Sequence, residues 1–123
     1  MTYCMAPSSN LWTALNHPPS GVGPPFQAVA RTEWLGRYYL PQTPTPINPG
    51  DWMFYEWYVK LASPGATDGV LRWWVNGNLN GDYTDVPGTP ASGFGEFQIA
   101  PTVQQAPPTE QYMDVDHISV SAP

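Results

Sequence analysis

Cysteine is almost absent from this chain, and charge is scarce. Cys4 is the single thiol among 123 residues, so no disulfide can close within the chain, and neither a CxxC metal site nor a dithiol redox pair can be built. Stability therefore has to come from packing. Charged residues make up 11% of the sequence, against roughly 25% in an average soluble domain. Cations are the rarest of them: four Lys and Arg stand against ten Asp and Glu, for a net charge of -6. A chain of that sign repels phosphate backbones, so nucleic acid is not an expected partner. Long apolar runs are missing as well. No stretch approaches the ~20 apolar residues of a membrane span, and no membrane partner is expected. Met1 to Trp12 carries no Lys or Arg and no continuous apolar run, so no signal peptide is legible.

Proline and aromatic residues are what the chain has in quantity. Sixteen prolines and eleven glycines forbid a helix bundle, because proline inside a helix costs about 3 kcal/mol. Aromatics reach 14%, with six Trp and seven Tyr, which is ample apolar area to bury and argues against disorder. The expected product is a single domain of extended segments.

Residues 1–25 are rich in Pro, Ser, Asn and Gly, with His17-Pro18-Pro19 and Gly23-Pro24-Pro25, and read as a Pro-rich N-terminal arm. A single β-domain is expected over 26–123. Phe26 to Leu40 is strand-like, with Gly36 marking a bulge or a break. Residues 41–50, PQTPTPINPG, form a stiff spacer inside the domain. In Trp52 to Leu61, Met53, Tyr55, Trp57, Val59 and Leu61 share one face, while Phe54, Glu56, Tyr58 and Lys60 share the other. In 70–76, Leu71, Trp73 and Val75 oppose Val70, Arg72 and Trp74. Asn76-Gly77 is the preferred dipeptide of a type I′ hairpin, so Asn78 to Tyr83 is expected to return antiparallel, with Asn80-Gly81 either adding a bulge or shifting the turn. Phe94 to Ala100 and Tyr112 to Ser121 complete the strands. The expected fold class is all-β, an antiparallel β-sandwich or jelly roll.

The segments GDW at 50–52, YEWYVKL at 55–61, Asp68-Gly69, VLRWWVNG at 70–77, GDYTDV at 81–86 and DHISVS at 116–121 together resemble the C-terminal half of concanavalin A-like jelly-roll domains, the group with polysaccharide-lyase-like and laminin G-like modules. Such domains need on the order of 200 residues to close two large sheets. In an abbreviated version either the first 50 residues replace several strands, or sheet edges and one sheet face are completed by neighbouring chains.

Arg31-Thr32-Glu33 and Tyr58-Val59-Lys60 resemble the Arg-x-Glu and Tyr-x-Lys strands of alginate lyases, but the Gln-x-His motif has no counterpart. The two histidines, His17 and His117, lie in the Pro-rich segment and beside Asp116. No catalytic residue is therefore assigned, and the chain is expected not to be an enzyme. Pairing 52–61 with 70–76 so that Glu56 faces Trp74 and Tyr58 faces Arg72 gathers Glu56, Tyr58, Lys60, Arg72 and Trp74 on one sheet face. The bland account of that face is a Glu56–Arg72 ion pair with Arg72 over Tyr58 or Trp74. The functional account is a ligand- or partner-binding platform. No cofactor is expected; calcium on Asp82, Asp85, Asp114 and Asp116, which the resemblance implies, is the alternative.

The expected function is that of a non-catalytic structural or interaction protein. It self-associates or docks on a larger protein assembly, such as a phage capsid that it decorates as a cement protein, on the virion surface or outside the cell. Tyr3, Trp12, Pro24 and Pro25 are its expected interface arm. The alternative is a lectin-like carbohydrate-binding module with a glycan partner, and after it a polysaccharide-lyase remnant.

Overall fold

The computed structural model describes residues 2–6, 9–16, 26–32, 36–88, 93, 96–99 and 112–121; for the first two strands, the last strand and Arg31 it describes the backbone alone. Among these residues the fold is all-β: β1 (Thr2–Ala6), β2 (Ser9–Asn16), β3 (Gln27–Thr32), β4 (Arg37–Tyr39), β5 (Tyr55–Lys60), β6 (Gly69–Val75), β7 (Asn78–Val86) and β8 (Glu96–Ile99). They form two antiparallel sheets, one in the order β4-β3-β2-β1-β8 and the other in the order β5-β6-β7.

The arm expectation is corrected here. Residues 2–6 and 9–16 are strands inside the larger sheet, and Tyr3 lies directly opposite Trp12 in the β1–β2 ladder. Their short runs of Thr, Tyr, Trp and Leu suit a pleated surface even though no apolar alternation announces it. Pro24 and Pro25, along with His17, Glu33 and Trp34, lie outside the described residues. The strand expected over 112–121 is also corrected: this segment has no strand pairing and every residue in it is exposed. Both of its alternating faces mix apolar and polar side chains, so neither has a reason to bury, and His117 takes a positive φ of 51° that breaks the extended run.

One apolar core joins the two sheets. Ala28 and Ala30 of β3, Tyr39 of β4 and Ile47 pack with Leu71, Trp73 and Val75 of β6 and Val86 of β7. Trp73 is the centre of it. Its side chain is fully buried, and its indole N–H donates to the carbonyl of Ala28 on the other sheet at 3.2 Å. Small residues on β3 leave room for the indole, and Gly81 on β7 leaves room behind it: a Cβ at Gly81 would sit 2.6 Å from Cζ2 of Trp73 and closer still to Cζ3 and Cη2. The ring is stacked on Tyr83, centroids 6.0 Å apart at 13°. Tyr83 in turn meets Tyr39 edge-on at 4.9 Å and donates its hydroxyl to the Leu40 carbonyl at 2.6 Å.

Gly36, at φ 59°, separates β3 from β4. Asn76 and Gly77 both take positive φ, 51° and 78°, as the two central positions of a type I′ turn require, and Val75 pairs with Asn78 across it. The ladder then slips between Trp73 and Trp74, leaving Asn80 as the extra residue. That bulge has a purpose in the packing. Asn80 is buried; its Oδ1 accepts from the Thr45 N–H at 2.9 Å, while its Nδ2 donates to Thr45 Oγ1 and to the Asn78 carbonyl, each at 2.9 Å. Its own carbonyl accepts from the N–H groups of Gln42 and Thr43 at 2.7 and 3.1 Å. The Pro-rich segment is thereby fastened along β7.

Candidate docking face

The β5–β6 register is the one that the alternation predicts. Glu56 lies opposite Trp74, Tyr58 opposite Arg72 and Lys60 opposite Val70. Along β5 the even-numbered residues are exposed and the odd-numbered ones half-buried, whereas β6 alternates buried and half-buried. Glu56, Tyr58, Lys60, Arg72 and Trp74 thus share the outer face of the smaller sheet.

The ladder runs on past the end of β5. The Asn76 N–H donates to the Phe54 carbonyl at 2.8 Å, and the Phe54 N–H donates to Asn76 Oδ1 at 2.9 Å. Phe54 therefore continues the outward-facing row. It is 61% exposed, Trp52 71%, Tyr58 43% and Leu79, opposite Trp74, 41%. This apolar row is broken by charges only at Glu56 and Lys60.

Arg72 is not paired with Glu56. Its Nε donates to Asp82 Oδ1 at 2.6 Å, with both side chains more than a third exposed, a surface pair worth about 0–1 kcal/mol. Asp82 reaches this position because the Asn80 bulge moves β7 along by one residue and sets Asp82, not Gly81, opposite Arg72. Asp82 is the member of the face that pairing β5 with β6 alone does not reveal. Its backbone is held by Gln42, whose Oε1 accepts from the Asp82 N–H at 2.8 Å and whose Nε2 donates to the Asp82 carbonyl at 3.2 Å. At the far end Lys60 lies 3.8 Å from Asp68. Asp68 also accepts from the N–H and the hydroxyl of Ser63 at 2.7 and 2.9 Å, and these bonds hold its carboxyl below the ordinary carboxylate range.

The four aspartates considered for calcium do not gather. Asp82 is engaged by Arg72 and Asp116 by His117 at 2.8 Å. Among the described residues no three His, Cys, Asp or Glu side chains are placed to hold a metal ion. A crevice lined by Thr32, Val59, Leu71 and Val86 has a volume of about 10 Å³, room for roughly one water. What the sheet offers a larger ligand is its outer face: exposed aromatic surface, the acid Glu56, the half-exposed amine of Lys60 beside Asp68 and a guanidinium already fixed by a carboxylate.

The chain matches no protein-family model, no curated protein and no solved structure.

Proposed function

We propose that this chain is a non-catalytic docking unit that attaches to a larger protein assembly through the outer face of β5–β6–β7. The observation that carries this reading is the exposure of Phe54, Tyr58 and Leu79 on the outer face of the smaller sheet, with Trp52 exposed just before it. Large aromatics left in water along one line of a small domain are costly, and partner surfaces are where such residues recur, enriched at interface centres with charges held to the rim. The charges of this face, Glu56, Lys60 and the Arg72–Asp82 pair, sit between and beside the aromatics and supply orientation. A decoration or cement protein of a phage capsid is the kind of component that such a docking face suits. Tyr3 and Trp12 belong to a strand pair of the larger sheet and not to a free arm, so the face proposed for docking is the one whose side chains are exposed.

A second reading is favoured by one feature. Tyr58 stands beside the Arg72–Asp82 pair, an aromatic plate flanked by hydrogen-bonding groups, which suits a pyranose ring.

The test is the double substitution Trp52→Ser with Phe54→Ser. Both side chains are exposed, so folding changes by less than about 1 kcal/mol. Co-sedimentation of the variant with particles from the organism that encodes it is expected to be lost. Retained co-sedimentation contradicts the docking face. Glycan-array binding that disappears in Tyr58→Ala establishes the second reading instead.

A further inference from the structure

We propose that β5 is a self-association edge, along which two copies of the chain pair antiparallel about Tyr58, each Glu56 lying opposite Lys60 of the second copy. The inference rests on the assembly reading above and adds to it a partner, a strand and a register.

The two edges of the smaller sheet are treated differently. Beyond β7 lies the Pro-rich segment, fastened to it by Asn80 and Gln42. Beyond β5, among the described residues, no strand pairs. The hydrogen bond from Asn76 to Phe54 sets the phase of the β5–β6 ladder: Phe54, Glu56, Tyr58 and Lys60 turn their backbone groups toward β6, so Trp57 and Val59 turn theirs to the open side. Such a row is a template for another strand. The inner side chains agree, since Trp57 and Val59 are only half-buried while Trp73, one strand further in, has no exposure.

The sequence of β5 selects the partner and the register. When two copies are centred on Tyr58, Trp57 exchanges both backbone hydrogen bonds with Val59 of the second copy, and the same pair recurs across the two-fold. Tyr58 meets Tyr58, and Glu56 meets Lys60 twice, in non-hydrogen-bonded positions where side chains stand closest. Moving the two-fold by one residue sets Glu56 against Tyr58, or Tyr58 against Lys60. Moving it by two sets Glu56 against Glu56, or Lys60 against Lys60. The Tyr58-centred register alone satisfies both charges. Each is available: Glu56 makes no ion pair among the described residues, and Lys60 has only a 3.8 Å contact with Asp68 in which both partners are half exposed, a weak and solvent-screened one. The net charge of -6 opposes association, but beyond about 8 Å it is largely screened at physiological ionic strength.

Sedimentation velocity of the full chain over a range of concentrations is expected to show a monomer–dimer equilibrium. Lys60→Glu and Glu56→Lys each create two like-charge pairs and are expected to weaken the dimer about tenfold or more, as a loss of ~1.4 kcal/mol would. The double variant Glu56→Lys with Lys60→Glu restores opposite charges in the same register and is expected to return the dimer to within about threefold. Val59→Pro removes an outward N–H that β6 does not use; circular dichroism is expected to show a folded chain, and sedimentation a monomer. In a Cys4→Ser background, Tyr58→Cys is expected to oxidise to a disulfide-linked dimer, because opposed non-hydrogen-bonded Cα atoms lie about 4.5 Å apart, within disulfide reach. A monomer at every concentration, single reversals without effect, or a double variant that fails to recover overturns the proposal. If the chain is monomeric yet Trp52→Ser with Phe54→Ser still abolishes co-sedimentation, self-pairing fails and the docking face stands. A β5 dimer whose co-sedimentation is indifferent to Trp52 and Phe54 supports the pairing and removes the docking face.

Discussion

Gly81→Ala should be among the most damaging one-carbon changes available to this chain. The new Cβ would enter the space of the Trp73 six-membered ring, and that ring has nowhere to go. It is fully buried, tied by its N–H to the Ala28 carbonyl at 3.2 Å, and stacked on Tyr83, which is itself anchored to the Leu40 carbonyl. Forcing an extra carbon into a packed core costs about 1–3 kcal/mol, a large share of the roughly 5–15 kcal/mol that holds a domain folded. For a chain of this size that corresponds to a fall in Tm of about 3–18 °C. Thermal unfolding followed by tryptophan fluorescence reads it directly. Trp73→Phe, which clears the space, supplies the internal control: alone it leaves a cavity and an unpaired Ala28 carbonyl, but combined with Gly81→Ala the two losses should fall short of additive by at least about 0.5 kcal/mol. A Gly81→Ala protein as stable as the parent, or strictly additive losses, would refute this account of the core.

Three further outcomes follow from particular contacts. Asn80→Ala removes three side-chain hydrogen bonds from a buried bulge and should cost about 2–3 kcal/mol, with hydrogen exchange at the Thr45 amide accelerating before that of β6. Burial pushes the Tyr39 and Tyr83 hydroxyls above their ordinary 10.0, against a smaller opposing pull from Arg37. The folded state therefore favours the protonated phenols, and the stability this contributes is complete below pH 10 and lost as pH rises through the raised values. Urea midpoints should fall above pH 10 and fall less in Tyr39→Phe, which removes one of the two raised phenols. For Asp68 the sign is reversed: the two Ser63 bonds depress its folded value, so its contribution is present above the ordinary carboxylate range and lost as pH falls through the folded value. Asp68→Asn should flatten the acid side of the stability profile without moving the alkaline side.

The parts of the fold that the sequence reveals are those where one face is buried and the other is not. In β5 and β6 alternation is strict, a slip of one residue would turn Trp57 and Trp73 outward, and so the register of Glu56 with Trp74 can be read from the text and is the one observed. Asn76-Gly77 works for a separate reason, the positive φ its turn demands. β1 and β2 escape because TYCMA and SNLWTALN carry no apolar period; their place is set by long-range pairing with β3 and β8. Residues 112–121 mislead in the opposite direction, offering β-branched residues without a face to bury. The Arg72–Asp82 pair was out of reach for a subtler reason. Without the bulge at Asn80, Gly81 would face Arg72, and the size of that slip is decided by how Asn80 fits Thr45 and how Gly81 fits Trp73, which are tertiary facts.

The central claim is that the outer face of β5–β6–β7 works against a protein partner. Site-specific photo-cross-linking in the organism that encodes the chain tests it most directly, with the photoreactive side chain placed in turn at Phe54, at Leu79 and, as an exposed control off the face, at Asn48. The account predicts one repeated protein species joined to the first two positions and not to the third. Equal labelling at all three, or adducts with glycan alone, would contradict it.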